Sequence, residues 1–394
     1  MKEALNAFLR SKFGLEIRRF EASQEMVSLW PEGDRKGDVL ISYIVDPFRV
    51  DDESKISNSH THHWESRLMA TAFLEMGYAV DVISYLDQQF VPRKEYSLFL
   101  AARTNFERIA TLLNPDCIKI AHLDTAHWLY NNTAVLQRAL NVQQSHGVSL
   151  QSFKFIEFNW AIEQADYATV LGNQFTVDTY AYANKPVCRV PISSCGSYAW
   201  DEGKDFGQCR ENFLWFGSQG FVHKGLDLVL EAFAAMPEQQ LYVCGPIDDE
   251  PQFKRAFDRY LYATPNIHTV GWVDVESNNF RDICGKCVGL VYPSCAEGGG
   301  GSVIQCMHAG LIPIVSRQAS VDIAEDYGIF IEQLSVEEIV RQVENLSSLT
   351  SAELQQMSRN AWEFARANHN RERFYKEFVR HMQNIIENRH GRQR

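Results

Sequence analysis

The chain has 394 residues, 45% of them hydrophobic, which supports full cores in two domains of ordinary size and excludes a disordered chain. With 38 basic against 50 acidic residues its formal net charge is −12, so non-specific nucleic-acid binding is not expected and any anionic ligand must be met by local groups. Nine cysteines, an odd number scattered along the chain, fit reduced thiols in a cytosol.

The segment from Met1 to about Gly37 gives no readable role. Its opening, MKEALNAFLRSKFG, has charges inside its apolar positions and no small-residue cleavage site, unlike a secretory leader, although an amphipathic patch over residues 1–20 is open. No uncharged run approaches the roughly 20 residues of a membrane span. The first expected strand is Asp38 to Val45, almost wholly apolar as in a parallel sheet covered on both faces. A loop then carries Asp51, Asp52 and Glu53 to the cluster His60, His62 and His63, and a helix is expected from about Trp64. In it Met69, Ala72, Phe73 and Met76 form one face, and Gly77 is the stop. A strand at Ala79 to Ile83 completes a doubly wound unit, whose ligands gather beyond the carboxyl ends of the strands. The histidine cluster lies at such an end, so a metal site, a ligand-contacting polar loop and a plain solvated loop are all open.

A second strand end comes at Cys117 to Ala121, running into HLDTAHWLYNN with His122, Asp124 and His127. The alternative for either histidine is a hydrogen-bonded place in the core. A helix carrying Trp160, Ile162 and Ala165 precedes a strand at Ala168 to Leu171, and Pro186 to Pro191 adds a short one. From Ile192 to Glu211 the periodicity fades and a domain boundary is expected. Phe213 to Phe216 restart the strand pattern, and SQGFVHKG leads to Lys224 and a helix with Leu226, Val229, Leu230 and Phe233 on one face. Strands are expected at Leu241 to Cys244, Ile267 to Val270, Gly289 to Tyr292, Ile312 to Val315 and Ile329 to Ile331. Cys284 and Cys287 have zinc-like spacing but no matching second pair, which favours a structural reading. The stretch from Ser351 to Asn388 is helical, and the basic end RHGRQR reads as a solvated tail.

The most informative stretch is LVYPSCAEGGGGSVIQCMHAGLIPIVS, residues 290–316. It reads as strand, glycine-rich loop, helix from near Ser302 closed by Gly310, and strand. A helix N-terminus behind glycines offers unpaired N–H groups and a positive dipole end to a phosphate, and Glu297 beside it can hold a polyol. Lys224, between a strand end and a helix start, places an ammonium where a phosphate would sit.

Over FLWFGSQGFVHKGLDLVLEAF, 213–233, and over 292–316, the chain resembles the retaining GT-B glycosyltransferases of glycosyltransferase group 1, a likeness covering most of residues 38–385. The resemblance implies an α/β GT-B fold, two doubly wound Rossmann-like domains facing across a cleft. The domains would be an acceptor-side domain at 1–195, a nucleotide-sugar-binding domain at 196–370, and a C-terminal helix and basic tail at 371–394. It implies that Lys224 contacts the donor diphosphate and Glu297 the donor sugar. Gly298, Gly299, Gly300, Gly301 and Ser302 would present N–H groups, Gly217 and Ser218 would border the diphosphate, and Gly271, Trp272 and Val273 would line the base. Two positions depart from the family: Gln305 replaces the glutamate that grips the ribose, and Ser218 and Gln219 occupy the loop where an arginine is expected. The histidine-rich NSHTHHWE, 58–65, replaces the glycine-rich loop of the first domain, so the acceptor side does not transfer by analogy.

The resemblance implies a metal-independent hexosyltransferase without a cofactor, moving a sugar from a nucleotide-sugar to a sugar, lipid-linked or other small acceptor with retention. The leaving diphosphate assists the acceptor hydroxyl while the protein positions and stabilises charge. His127, in preference to His122, is expected to reach a sugar hydroxyl, and Lys224→Ala to abolish turnover with the fold intact. A cytoplasmic location is expected, extended by relatives that serve lipid carriers to the inner face of the membrane. A GT-B pair that binds a nucleotide-sugar or glycan without transfer is the alternative, suggested by Gln305 and the missing arginine. A nucleotide-sugar epimerase fits the motif less well, and a dinucleotide oxidoreductase lacks its glycine fingerprint.

Overall fold

A computed structural model describes residues 26–392 apart from Ser152, with side chains described as far as Asn388. The amphipathic reading of residues 1–20 and the side chains of the basic tail fall outside it. The first sheet has seven strands: β1 (Val27–Leu29), β2 (Gly37–Tyr43), β3 (Tyr78–Ser84), β4 (Leu98–Ala102), β5 (Ile118–Leu123), β6 (Tyr167–Leu171) and β7 (Val187–Val190), in the order β1-β3-β2-β4-β5-β6-β7. All pairs are parallel except β1, which runs antiparallel along β3. Two of these strands escape the sequence reading. β1 is a three-residue edge, and β4 is a five-residue apolar run without alternation, although it sits between β2 and β5 and is fully buried.

The second sheet has β8 (Asn212–Phe216), β9 (Gln240–Cys244), β10 (Ile267–Gly271), β11 (Gly289–Tyr292), β12 (Ile312–Ser316) and β13 (Ile329–Ile331), in the order β10-β9-β8-β11-β12-β13 and all parallel. Strand order reverses between β2 and β4 in one sheet and between β8 and β11 in the other, and crevices open at such reversals.

Six helices frame the site and seal the domains: α1 (Thr61–Glu75), α2 (Trp128–His146), α3 (Leu226–Ala235), α4 (Gly301–His308), α5 (Ser351–Asn368) and α6 (Arg371–Arg392). α1 begins three residues before Trp64 because His60 caps it, its ring accepting from the His62 amide at 3.3 Å. The helix expected around Trp160 is a single turn, Ala161–Gln164, and Trp160 stands exposed before it. α3 has its whole expected face fully buried: Leu226, Val229, Leu230 and Phe233. α6 leaves the second sheet and crosses back to α1, where Phe378 meets Phe73 edge to face at 5.8 Å and Phe374, Phe378 and Met382 are fully buried.

Candidate functional site

The reversal between β8 and β11 sets the loops after these two strands side by side. The first carries His223 and Lys224, the second Glu297. Gly225, at φ +73°, starts α3 so close to the second loop that a Cβ there would lie 2.4 Å from the Pro293 carbonyl oxygen. Lys224 is 2% exposed; its Nζ donates to the Gln219 carbonyl at 2.9 Å and lies 3.6 Å from Glu297 Oε1. The same carboxylate accepts from the Tyr292 hydroxyl at 2.9 Å and the Ser294 hydroxyl at 3.3 Å, with His223 Nε2 3.7 Å away. Burial alone would raise the Glu297 carboxyl, but Lys224, Lys154 and His223 outweigh it and hold the group well below the usual range. Burial pushes the Lys224 ammonium down, against the pull of Glu297 and with the push of Lys154, and it drives His223 to about 3, a neutral ring.

Lys154 is not signalled in the sequence. It belongs to the irregular run after α2 in the first half of the chain, yet its side chain lies across Gly220, where a Cβ would sit 3.4 Å from its Cδ. From there its charge acts on both Lys224 and Glu297.

The glycine loop rests against the first domain. A Cβ on Gly298 would lie 1.8 Å from the Asp124 carbonyl oxygen and 2.6 Å from the Thr125 nitrogen, so only glycine fits. Gly300 caps α4 at φ +60°, with Ala319 and Val321 closing the space a side chain would need. Gly299 packs on Ile192, and Gly301 and Ser302 form the first turn of α4. Asn173 Nδ2 donates to the Arg317 carbonyl at 3.1 Å, and Thr176 Oγ1 meets Ser320 Oγ at 2.7 Å, which ties the domains together beside the loop.

The other expected donor residues differ in setting. The Gly217 amide donates to the Cys244 carbonyl at 3.0 Å and the Gly245 amide to the Gly271 carbonyl at 2.9 Å, so both glycines help close the strand ends. Ser218 is exposed, Trp272 is 64% exposed, and Val273 is packed in the core. Gln305 is 4% exposed and faces the linker: Nε2 donates to the Tyr198 hydroxyl at 2.6 Å and the Gly196 carbonyl at 3.1 Å, and Oε1 accepts from the Gly196 amide at 3.3 Å. The amide is matched to both a donor and an acceptor, which a carboxylate would not be.

The two histidines after β5 part company. His127 caps α2, its Nδ1 accepting from the Leu129 amide at 3.3 Å, while Nε2 pairs with the Tyr182 hydroxyl at 2.9 Å, and Tyr182 in turn donates to Glu163 at 2.6 Å. Both of its ring nitrogens are therefore engaged. His122 is fully buried, and its Nδ1 meets Thr169 Oγ1 at 2.8 Å, while Nε2 has no hydrogen-bond partner. Burial holds it neutral, down to about 4. Of the histidine cluster, His60 and His62 lie 4.1 Å apart by ring centroid, and His62 is 5.5 Å from Tyr43. Among the described residues no group of three His, Cys, Asp or Glu side chains is placed to hold a metal. Cys284 and Cys287 are buried thiols.

Residues 210–348 match the family described as Glycosyl transferases group 1. No curated protein matches the chain in sequence. Among solved structures it is similar to sucrose-phosphate synthase from Thermosynechococcus elongatus, with a TM-score of 0.62 and 13% identity over 89% of this chain and 98% of that one. It is also similar to Anabaena HepE in complex with UDP and glucose, with a TM-score of 0.56 and 11% identity over 88% and 98% of the two chains. A point mutant of S. aureus TarM, solved with fondaparinux, alpha-GlcNAc-glycerol and UDP, gives a TM-score of 0.53 and 10% identity over 81% of this chain; the chain spans 58% of that protein's length. The fold is GT-B: two Rossmann-like domains with parallel sheets, as the sequence resemblance implied. No helix among the described residues is long and apolar enough to cross a membrane.

Proposed function

We propose that this chain is a glycosyltransferase that moves a sugar from a nucleotide-sugar donor to an acceptor hydroxyl, with retention at the anomeric carbon. The observation that carries the reading is the meeting of Lys224, Lys154 and Glu297 at the strand-order reversal, directly before a glycine loop that opens a helix. In this scheme the donor diphosphate lies against the N–H groups of Gly299 to Ser302, with the ammonium groups of Lys224 and Lys154 over it. These groups stabilise charge as the sugar–phosphate bond breaks, and the departing diphosphate oxygen receives the acceptor's proton on the same face. Glu297, kept ionised, accepts hydrogen bonds from sugar hydroxyls, and Trp272 offers its exposed ring to the base. The scheme calls for no metal.

Lys154 stands in for the arginine missing from the loop at Ser218 and Gln219, which removes one support for the reading of a binding protein without turnover. Gln305 has the opposite sense from the ribose grip: its amide holds the linker at Gly196 and Tyr198, so ribose recognition falls to other groups. Between the two histidines, the free Nε2 of His122 is the better candidate for a sugar hydroxyl.

Titration calorimetry with UDP, GDP and ADP, followed by assay of the corresponding nucleotide-sugars for diphosphate release, tests the reading. UDP comes first, since the neighbouring HepE and TarM structures contain it. We expect one nucleoside diphosphate to bind in the micromolar range and its sugar to be hydrolysed slowly without acceptor. Binding with neither hydrolysis nor transfer, or no binding at all, would overturn it.

A further inference from the structure

α2 begins in the first domain, after β5, and reaches the second. Arg138, Val142 and His146 lie on one face of it. Arg138 pairs with Asp227 in the first turn of α3, Val142 is buried within the second-domain core, and His146 Nε2 meets Glu231 Oε1 at 2.8 Å. The chain then turns at Gly147 and runs back along the helix. Asn131 Nδ2 donates to the Lys154 carbonyl at 3.2 Å, while Asn132 accepts from the Ile156 amide at 2.9 Å and donates to the Ile156 carbonyl at 2.8 Å. Leu150 packs on the second-domain core, and Gln151 accepts from Gln252 at 2.9 Å. Lys154 is thus mounted on α2 through its backbone and laid across Gly220 by its side chain.

The Arg138–Asp227 pair is a poor adhesive. Both side chains are buried, at 6% and 2% exposure, and Arg138 Nε finds no hydrogen-bond partner among the described residues. Burial raises the Asp227 carboxyl even against the pull of Arg138. Taking two charges out of water consumes what their attraction returns, so such a pair adds little stability. It does add register, because a guanidinium and a carboxylate meet in few relative orientations.

We propose that Arg138 and Asp227 are positioning residues for Lys154: their pair sets α2 against α3 in one register, and the segment fastened to α2 then holds the Lys154 ammonium over the loop that carries Lys224. This rests on the glycosyltransferase reading, in which that ammonium meets the donor diphosphate, and adds how a charge from the first domain is delivered to a phosphate site in the second. Asp227 stands on the helix that Lys224 precedes, so one pair fixes both cations relative to each other. Lys154 and Lys224 repel where they stand. A diphosphate between them turns that repulsion into attraction, so the register and the charge of the ligand favour the same arrangement.

The test sets Lys154→Met beside the paired variant Arg138→Met/Asp227→Leu, which replaces both buried charges with apolar groups. The urea midpoint of the paired variant should stay within about 0.3 M of the parent or rise. Lys154→Met should bind UDP, GDP or ADP, whichever the parent takes, about tenfold more weakly and turn over its nucleotide-sugar about tenfold more slowly, less than the loss at a buried charge because this side chain is exposed. The paired variant should show the same losses, and adding Lys154→Met to it should cost no further factor, since the lysine is already out of place. Trypsin reads the arrangement without a nucleotide: cleavage after Lys154 should be about tenfold faster in the paired variant than in the parent. Should the paired variant unfold, Arg138→Lys, which keeps the charge and loses the planar fork, takes its place. Losses that multiply on combination, parental cleavage in a folded variant, or a Lys154→Met variant with parental affinity and turnover would overturn the positioning role. A parent that binds none of the three diphosphates would defeat the transferase reading, and the cleavage rates then decide the placement of Lys154 by themselves.

Discussion

Replacing Lys224 with methionine keeps the volume of the side chain and removes its charge from a nearly water-free position. At 3.6 Å the Lys224–Glu297 attraction is worth about 4–5 kcal/mol at an effective dielectric of about 20. Part returns on substitution, because the buried ammonium, pressed by Lys154, is itself costly, and Tyr292 and Ser294 still hold the carboxylate. We expect a net loss of about 2 kcal/mol in urea denaturation at pH 7, below the roughly 3–5 kcal/mol that breaking a buried pair usually costs, because of these offsets. The fold therefore survives, though at a cost that the sequence alone does not reveal. The sign with pH follows from Glu297, whose folded value, near 2, lies below its unfolded 4.5. Its stabilisation is present above pH 4.5 and is lost as pH falls through the folded value. Without Lys224 the folded value rises, so the part of the deficit that comes from Glu297 should shrink as pH falls from 4.5 towards 2. Turnover should fall by about 10²–10³, the usual cost of one charge-stabilising group, with weaker binding of the nucleoside diphosphate. Parent-like turnover with an unchanged donor KM would refute the diphosphate role of Lys224.

Gln305→Glu introduces the residue that the resemblance led one to expect there, yet it should harm this protein: a carboxylate would face the Gly196 carbonyl at the place of an N–H donor, costing about 2–3 kcal/mol. A variant with parental stability and a lower donor KM would contradict the linker role. Glu65 is raised by burial to about 7 from 4.5, so its contribution to stability is full below pH 4.5 and is lost as pH rises through about 7. Thermal melts of Glu65→Gln should lack this decline, worth about 3 kcal/mol across the window; an identical pH profile would show that Glu65 titrates normally. Gly298→Ala would drive a methyl into the Asp124 carbonyl, so the two domains should separate. Small-angle scattering should show a larger radius of gyration and assays a hundredfold lower turnover; parental values for both would mean the loop yields instead.

The second domain is legible in the sequence because its strands are continuous apolar runs and its loops are punctuated by glycine and proline. Lys224 and Glu297 can be placed for the same reason, each at a fixed point between strand and helix. Their partners are not legible. Lys154 is one lysine in a run without periodicity, and only the fold carries it to Gly220. His127 and His122 look alike in HLDTAHW, and the difference between a helix cap and a buried ring appears only once α2 has a start. Gln305 reads as a weakened ligand because Tyr198, which it holds, lies in a linker with no pattern of its own.

The return of α6 to α1 has a consequence for synthesis. The second sheet is complete in sequence by Ile331, but the Phe73 side of the first domain stays uncovered until Phe374, Phe378 and Met382 have been made. Domains generally fold as units while the chain emerges from the ribosome, N-terminal first. Here the order is inverted for final packing: the first domain is sealed by a helix made only after the second sheet is complete. A ribosome stalled before Arg371 would hold a finished second domain joined to a first domain with an open apolar flank, a species that chaperones and proteases would find before any substrate did.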